Sequence, residues 1–425
     1  MSSTTSSRIR ALSALAVLGL AGAALAGCAS TPQDSNTISV AFNGGEGVPA
    51  AAALFEEANP GTKVELKNVT DPDGQIIGTQ LAGGNASDVI VIQPGSGGII
   101  SAQVAGDRGQ LTDLSDEPWA DTVPESAKRV LVTSEGELVA VPMTFSSIGG
   151  VYNETAIESV GMTIPTTWPE VLQFCADAKA NGKVAYGLGL SDAWTTQLIP
   201  YALVATLVYA EDPDFIQKQD DGTATFSDSG WKTAMDKYEE MGTEGCFNES
   251  PAGTPYATVQ NAVASGSTLA TVTVAAETAS IQALAPEGTA IQYAAFPATD
   301  NADDTYLAAN VGPALAVTAK AKNVELAKKF VAFLAEPETQ IAFANAYGDT
   351  AAMPGDLKQD TQVSDLALSY INSQKISGWP DNQWPTGTSL KDDMYSGIQG
   401  MFSGQATPES TLEAMDTAFE AAQDK

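Results

Sequence analysis

Apolar and polar residues along the first part of the chain fall into short blocks in the order strand, helix, strand. The pattern predicts strands over 38–42, 62–69 and 88–92, and helices over 48–58 and 73–81. Residues 88–92 are continuously apolar, which is typical of a strand buried in a parallel sheet. Ligands of such sheets bind beyond the carboxyl ends of the strands. The pattern therefore indicates the loops 43–47 and 93–97 as walls of a cleft.

The stretch 136–153, GELVAVPMTFSSIGGVYN, reads as two apolar strands separated by polar residues. Residues 138–141 form a β-branched run, Pro142 removes a backbone donor, and 148–152 resume after the break. Residues 144–147 can lie in a core only if their hydroxyls find partners, so we expect them on a surface or in a wet cleft. An ordinary hairpin-like turn remains an alternative.

The rest of the chain continues the mixed pattern. It predicts strands over 184–190, 268–274 and 311–317, and helices over 231–241, 256–265 and 324–335. Trp231, Ala234, Met235 and Tyr238 share one helical face and are expected in the core. Thr167, Asn323 and Thr407 are candidate N-caps. Nearly 400 residues of this α/β pattern exceed one core, so the sequence predicts two domains.

The amino terminus has the pattern of an export signal. Arg8 and Arg10 precede an apolar run over 11–26, which is short for a membrane span and ends in small residues. Leu25-Ala26-Gly27-Cys28 resembles the bacterial lipoprotein box, in which the cysteine is lipidated. We therefore expect removal of residues 1–27, a lipid anchor on Cys28, and a polar tether over 28–37. An ordinary signal peptide with an incidental cysteine is the alternative.

Charge and composition remove several classes of function. Without Arg8 and Arg10 the chain keeps 18 basic against 52 acidic side chains, a formal charge of −34, which argues against nucleic acid and anionic lipid surfaces as partners. The acidity fits either a cationic ligand or a solvated acidic surface. The absence of histidine removes Ser-His-Asp triads and histidine-based zinc sites. No metal and no cofactor are expected.

Cys175 and Cys246 form an even pair in a chain expected to be exported, so a disulfide is the natural prediction. In the chain-entropy model, closing this loop would stabilise the folded protein by on the order of 4 kcal/mol. Two unrelated buried thiols are the alternative.

Several loose motifs occur in an order typical of one family. They are G-x-x-x-x-x-P-x-x-x-x-x-x-x-x-x-Y-N over 136–153, F-x-E-x-N-P-G over 55–61, D-V-I-V-I from Asp88, and P-x-T-W-x-E over 165–170. Together with the pattern over 404–415, they resemble the family 1 extracellular solute-binding proteins of ABC importers, which include the maltose-binding proteins. The resemblance covers essentially the whole mature chain.

This resemblance implies a two-lobed α/β periplasmic-binding-protein fold of type II. Each lobe would be a mixed sheet flanked by helices, with a multi-crossing hinge between them. The implied lobes are residues 36–145 plus 311–360 and residues 146–310 plus 361–425. The implied function is that of a monomeric lipoprotein outside the cytoplasm that captures a sugar or oligosaccharide and delivers it to an ABC permease. It would not be an enzyme.

The resemblance also implies site residues. Asp192 and Trp194 stand where maltose-binding members present a glutamate and an aromatic ring to the sugar, whereas Ser146 stands where they have a glutamate. Ala275 and Ala276 replace their wall tryptophan, which argues against maltodextrin-like stacking there. We expect Trp194 and Trp384 to stack on sugar rings. The expected hydroxyl-binding residues are Asn43, Glu46, Gln93, Ser146, Asp192 and Asn310.

Two other classes of function remain open. A cleft for a cationic osmolyte or polyamine would use the same fold with an aromatic cage and acids. A secreted glycosidase would need a carboxylate pair about 5 to 10 Å apart.

Overall fold

The structure is a computed structural model that describes residues 36–70, 74–353, 355–359, 361–385 and 389–423. The expected signal peptide over 1–27, Cys28 and the tether up to residue 35 lie outside the described residues. So do Asp73, where the second helix was predicted to begin, and residue 360, near which a hinge crossing was expected.

The strands are β1 Thr37–Phe42, β2 Lys63–Asn68, β3 Val89–Ile92, β4 Val141–Pro142, β5 Thr144–Asn153, β6 Val184–Tyr186, β7 Thr268–Val274, β8 Ile291–Ala294, β9 Leu307–Val311, β10 Ala314–Val317, β11 Thr350–Ala351 and β12 Ile376–Ser377. The helices are α1 Gly47–Ala58, α2 Gln75–Gly83, α3 Ala102–Asp107, α4 Glu125–Leu131, α5 Glu154–Ser159, α6 Trp168–Ala180, α7 Leu198–Val204, α8 Phe215–Asp220, α9 Gly230–Thr243, α10 Tyr256–Ala264, α11 Glu277–Leu284, α12 Val324–Leu334, α13 Pro337–Tyr347, α14 Gln362–Asn372, α15 Leu390–Ser403 and α16 Pro408–Gln423.

The first lobe is built on a five-stranded sheet in the order β2-β1-β3-β10-β4. β1 pairs in parallel with β2 and β3, and β10 runs antiparallel to β3. Its core comes from residues 38–145 and 311–353. In it, the ring of Phe55 packs edge-on against Phe330 and Phe333. The buried apolar strand β3 confirms the parallel sheet expected from residues 88–92.

The second lobe is built on a sheet in the order β12-β9-β5-β7-β6, with β8 and β11 also paired to β5. Its main core comes from residues 148–308 and 384–419. The chain changes sheets between β4 and β5, and again between β9 and β10. The molecule is therefore two-lobed, with a mixed sheet and flanking helices in each lobe, as the resemblance implied.

The polar residues 144–147 do not form a surface loop. They begin β5, all ten residues of which are buried. Two of their three hydroxyls find partners: Ser147 Oγ and the Tyr293 hydroxyl share a hydrogen bond of 2.8 Å, and Ser146 Oγ donates to the carboxylate of Asp349. Because these partners lie about 150 to 200 positions away, the local pattern could not show that the segment would be buried.

The predicted disulfide joins Cys175 of α6 to Cys246, with a Cα–Cα distance of 4.7 Å. Both cysteines are fully buried in the second lobe. The predicted helical face of α9 is also confirmed, because Trp231, Ala234 and Tyr238 are buried in the same core.

Two of the three predicted N-caps are confirmed. Asn323 accepts a hydrogen bond from the Leu326 N–H, and Thr407 accepts one from the Ser410 N–H. Thr167 makes no side-chain capping bond. Instead, the Glu170 carboxylate accepts from the backbone N–H of Thr166 at 2.8 Å, which joins the residue before the N-cap position to the first turn.

Within the described residues, no helix is both long enough and apolar enough to cross a membrane.

Candidate functional site

The loops after β1 and β3 lie at the same edge of the first sheet, because the two strands are parallel and pair at Val40 and Val89. Asn43, Glu46 and Gln93 are exposed on these loops. The structure thus brings the three predicted first-lobe residues to one edge, as the parallel pattern indicated.

The loop 93–97 reaches the second lobe. The Ser96 N–H donates to the Asn382 carbonyl oxygen at 2.8 Å. A Cβ on Gly95 would lie 2.1 Å from that oxygen, and Gly95 has φ of +76°. Glycine is therefore required here both for the close approach and for the backbone conformation. The loop that carries Gln93 meets the loop that carries Trp384.

Ser146 and Asn310 lie opposite each other on the neighbouring strands β5 and β9. Both are buried. Asn310 Oδ1 accepts from the backbone N–H of Val311 at 2.9 Å, which leaves the amide nitrogen to donate elsewhere. The structure thus brings these two predicted residues together between the lobes.

Asp349 supplies a carboxylate next to Ser146. It is 1% exposed and accepts from Ser146 Oγ and from the backbone N–H of Thr350. Burial raises the pKa of Asp349 to about 7, and these hydrogen bonds act in the opposite direction. The resemblance placed Ser146 where maltose-binding members have a glutamate. The acid comes instead from the turn after α13, and no local signal marked it.

Asp192 and Trp194 both contact Tyr256, the first residue of α10. The Tyr256 N–H donates to Asp192 Oδ2 at 2.7 Å. The Trp194 ring meets the Tyr256 ring edge-on, with centroids 4.9 Å apart. Trp194 is 38% exposed, which is unusual for a large apolar side chain in this molecule. Trp194 therefore offers a solvent-exposed aromatic surface, which the buried ring of Tyr256 supports.

Glu277 connects Tyr256 to the first lobe. Its carboxylate accepts from Gln260 Nε2 at 2.6 Å, and burial raises the pKa of Glu277. Burial also raises the pKa of Tyr256, and the charge of Glu277 adds to the shift. Burial and then the charges of Asp349 and Glu277 raise the pKa of Tyr347 to about 12. The Glu277 carboxylate therefore lies near both tyrosines.

Tyr347 and Gly348 complete the connection. A Cβ on Gly45 would lie 3.0 Å from the Tyr347 ring, so this ring packs against the loop that carries Asn43 and Glu46. A Cβ on Gly348 would lie 3.1 Å from the Ala276 carbonyl oxygen. Segments of the first lobe and of the second lobe therefore meet beside Glu277.

We call the group Ser146, Asp192, Trp194, Tyr256, Glu277, Tyr347 and Asp349 the aromatic–acid cluster. Four of its members, Tyr256, Glu277, Tyr347 and Asp349, were not predicted. Glu277 directly follows Ala275 and Ala276, the replaced wall positions, and that proximity was a signal that could have identified it. The tyrosines could not be recognised, because buried core tyrosines have the same local pattern.

Trp384 lies elsewhere. It is 2% exposed, and its ring packs against Tyr201, Phe226 and Trp231 with centroid distances of 6.2, 5.8 and 6.2 Å. In this structure it belongs to the second-lobe core and not to the aromatic–acid cluster. The sequence showed a tryptophan in a polar loop but not the packed rings that surround it.

In the described part of the chain, no group of three or more histidine, cysteine, aspartate or glutamate side chains could hold a metal ion. The chemistry of the aromatic–acid cluster is that of ring faces and hydrogen-bond acceptors.

Comparison with known proteins gives relatives of nearly full length. The chain is 22% identical over 395 residues to a multiple sugar-binding protein of Streptococcus mutans serotype c, covering 90% of this chain and 91% of the relative. Among solved structures, the solute-binding protein RafE in complex with raffinose matches with a TM-score of 0.75 at 22% identity, covering 91% of this chain and 99% of that one.

The GacH receptor of Streptomyces glaucescens, solved unliganded and with acarbose, matches with a TM-score of 0.75 at 18% identity, covering 92% of this chain and 98% of that one. These structural likenesses show the two-lobed fold. The model of the bacterial extracellular solute-binding proteins matches residues 42–341, which is more than half of the sequence. The chain therefore belongs to the bacterial extracellular solute-binding protein family.

Proposed function

We propose that this protein captures a sugar or oligosaccharide between its two lobes and delivers it to the permease of an ABC importer. The observation that carries the proposal is the exposed Trp194 ring beside Tyr256, with the carboxylates of Asp192 and Glu277 next to them. Sugars present apolar ring faces and paired hydroxyls, which aromatic faces and carboxylates recognise.

The relatives support this class of ligand. Solved structures with the same fold include a chitin oligosaccharide binding protein, RafE with raffinose and a sugar transporter protein from Bacillus licheniformis with stachyose. Their identities to this chain, 20%, 22% and 19%, leave the particular sugar open to experiment.

Each lobe would contribute part of the site. The exposed side chains of Asn43, Glu46 and Gln93 would bond sugar hydroxyls from the first lobe. Trp194 would stack from the second lobe. Closure of the lobes would remove water from both surfaces and make an unpaired hydroxyl costly.

We propose lobe boundaries at 36–145 plus 311–360 and at 146–310 plus 361–425. The two core clusters support these boundaries, because one ends at Phe145 and resumes at Val311, whereas the other begins at Ile148. The sheet changes between β4 and β5 and between β9 and β10 would then be two crossings of the hinge.

We also propose that Cys28 carries a lipid that holds a monomeric protein at the outer face of the cytoplasmic membrane. The carbon chains would supply the anchor, because buried methylenes contribute about 0.8 kcal/mol each. Cys28→Ala should release the protein from membranes. A variant that still sediments with membranes in high salt would contradict the anchor.

A cationic ligand is the second candidate, because the composition of the aromatic–acid cluster also suits a positive charge. The cluster contains three carboxylates and no lysine or arginine, and a cation beside Trp194 would gain both charge and ring attraction. A binding protein for a cationic osmolyte or polyamine would therefore have the same appearance.

A thermal-shift screen followed by calorimetry tests the proposal on the mature protein. Raffinose, stachyose and chitin oligosaccharides form one set, betaine and spermidine another, and product release is followed by chromatography. We expect a neutral sugar to raise the melting temperature and to remain uncleaved. Stabilisation by the cations alone would favour the second candidate, and released monosaccharide would indicate a glycosidase.

A further inference from the structure

A cavity of about 290 Å³ lies where the two lobes and the strands between them meet. Its lining includes Arg129 of α4 in the first lobe, Tyr209 and Ile216 in the second lobe, and Asn310 and Ser377 on β9 and β12. No residue of the aromatic–acid cluster lines it. Among the predicted sugar-binding residues, Asn310 alone is in the lining of this cavity.

The lining is unusual for so acidic a protein, because it contains no carboxylate. The guanidinium of Arg129 has no ion-pair partner among the described residues, and the side chain is exposed. An anion that enters the cavity would therefore meet an uncompensated positive charge.

Three carboxylates that lie within two residues of the lining in the sequence are paired with lysines. Glu125 bonds Lys128 at 3.0 Å, Asp212 bonds Lys218 at 2.6 Å, and Asp381 bonds Lys391 at 2.6 Å. Their charges are offset by partners that do not line the cavity, so they repel an anion less than free carboxylates would.

The remaining lining residues combine donors with apolar walls. Asn310 has its amide nitrogen free to donate, because its Oδ1 already accepts from Val311. The lining also includes the aromatic residues Phe145 and Tyr209 and the aliphatic residue Ile216. A guanidinium binds a carboxylate through two parallel hydrogen bonds, and aromatic walls favour a flat apolar body. The volume is at the lower end for ligand pockets, so the ligand should be compact.

The position of Tyr209 depends on an irregular helix. Residues 205–209 form a π-helical segment after α7, in which the Ala210 N–H donates to the Ala205 carbonyl at 3.1 Å. Trp231 Nε1 donates to the Tyr209 hydroxyl at 3.3 Å, which fixes the far end of the ring. Wide turns of this kind are rare and frequently occur at functional sites.

We propose that this cavity is a second binding site, which takes a compact organic carboxylate with an aromatic body. The carboxylate bonds Arg129, and the ring lies between Phe145 and Tyr209. Since Arg129 belongs to the first lobe and Tyr209 to the second, the occupant contacts both lobes and stabilises the arrangement in which they form one cavity. Its affinity is then coupled to that of the sugar, by the same factor in both directions.

Calorimetry with benzoate tests the site, with benzamide as the neutral probe of the same shape. The mature protein should bind benzoate at least tenfold more tightly than benzamide. Arg129→Gln should weaken benzoate binding at least tenfold, and Arg129→Lys should weaken it less. The matched control is Arg108→Gln, because Arg108 lines a separate pocket beside Lys320 and should leave benzoate binding unchanged.

Three results would overturn the site: equal binding of benzoate and benzamide, the same loss in Arg108→Gln as in Arg129→Gln, or no benzoate binding at about 10 mM. The coupling is measured separately, as the affinity for a sugar from the screen with and without saturating benzoate. An unchanged sugar affinity would overturn the coupling. Retained sugar binding by Arg129→Gln without benzoate would confirm that the two sites are distinct.

Discussion

Trp194 and Trp384 look alike in the sequence, because each stands in a polar loop of the second lobe, yet their surroundings are opposite. Trp194 leaves 38% of its surface exposed and meets one ring, that of Tyr256. Trp384 is 2% exposed and packs against three aromatic rings. A tryptophan held by one neighbour can give its face to a ligand, whereas one enclosed by several has already used its surface in the core.

The same contrast separates two carboxylates. Asp192 is half-buried and accepts one N–H bond from Tyr256. Asp349 is enclosed, accepts from Ser146 and Thr350, and has its pKa raised to about 7 by burial. Trp194 and Asp192, which are the more exposed, should therefore control sugar binding. Trp384 and Asp349, which are enclosed, should control stability and its pH dependence.

Trp384→Ala should show the largest effect on stability. Removing a fully enclosed tryptophan leaves a cavity, which typically costs about 3–5 kcal/mol of the free energy of unfolding. Urea denaturation of the mature protein measures this loss. Sugar affinity of the folded fraction should be unchanged. If Trp384→Ala instead keeps normal stability but loses sugar affinity, Trp384 belongs to the sugar site. Its role would then not differ from that of Trp194.

Asp349→Asn should change the pH dependence of stability. The folded-state pKa of about 7 lies above the ordinary aspartate value of 3.8, so the folded protein retains a proton that the unfolded chain releases. This contribution is fully present below pH about 4 and is lost as the pH rises towards 7, by at most about 1.4 kcal/mol per unit.

The Asp349→Asn variant cannot ionise at this position, so the wild type should lose stability relative to it between pH 4 and 7. Urea denaturation at several pH values measures the difference, and Asp121→Asn, at an exposed position, is the control. Parallel curves for wild type and Asp349→Asn would show that Asp349 stays ionised in the folded state.

Trp194→Ala should chiefly affect binding. A ring contact of roughly 60–100 Å² at about 25 cal/mol per Å² is worth on the order of 2 kcal/mol, or about thirtyfold in affinity. Stability should change little, because Tyr256 is the only ring that contacts Trp194 within the described residues. Trp194→Phe keeps a ring face and should lose less affinity. A lowered melting temperature with unchanged affinity would make Trp194 a packing residue.

The contrasts between Trp194 and Trp384 and between Asp192 and Asp349 show which features could be predicted from the sequence. The strands and helices were predictable, because their periods of apolar residues are local, and so were the Asn323 cap and the Cys175–Cys246 pairing. Asp349 beside Ser146 and the rings around Trp384 were not, because their partners are far away in sequence. Burial of a polar segment or a loop tryptophan is decided by such distant partners.

Asp192→Ala should have the smallest effect, and it tests whether an exposed carboxylate can also hold structure. Asp192 Oδ2 accepts the N–H of Tyr256, one of the donors that the start of α10 leaves without a helical partner. Its loss should cost about 1 kcal/mol of stability, as the loss of a cap does. Sugar affinity should fall too, because Trp194 packs on Tyr256, which Asp192 holds in place.

Asp192→Asn is the control, because it keeps an oxygen acceptor and should therefore restore stability. If it also restores sugar affinity, Asp192 acts by positioning Tyr256. If the affinity stays low, the carboxylate itself bonds the sugar. Calorimetry gives the sugar affinity and urea denaturation gives the stability of the wild type, Asp192→Ala and Asp192→Asn. Full stability in Asp192→Ala would contradict the role of Asp192 in holding Tyr256.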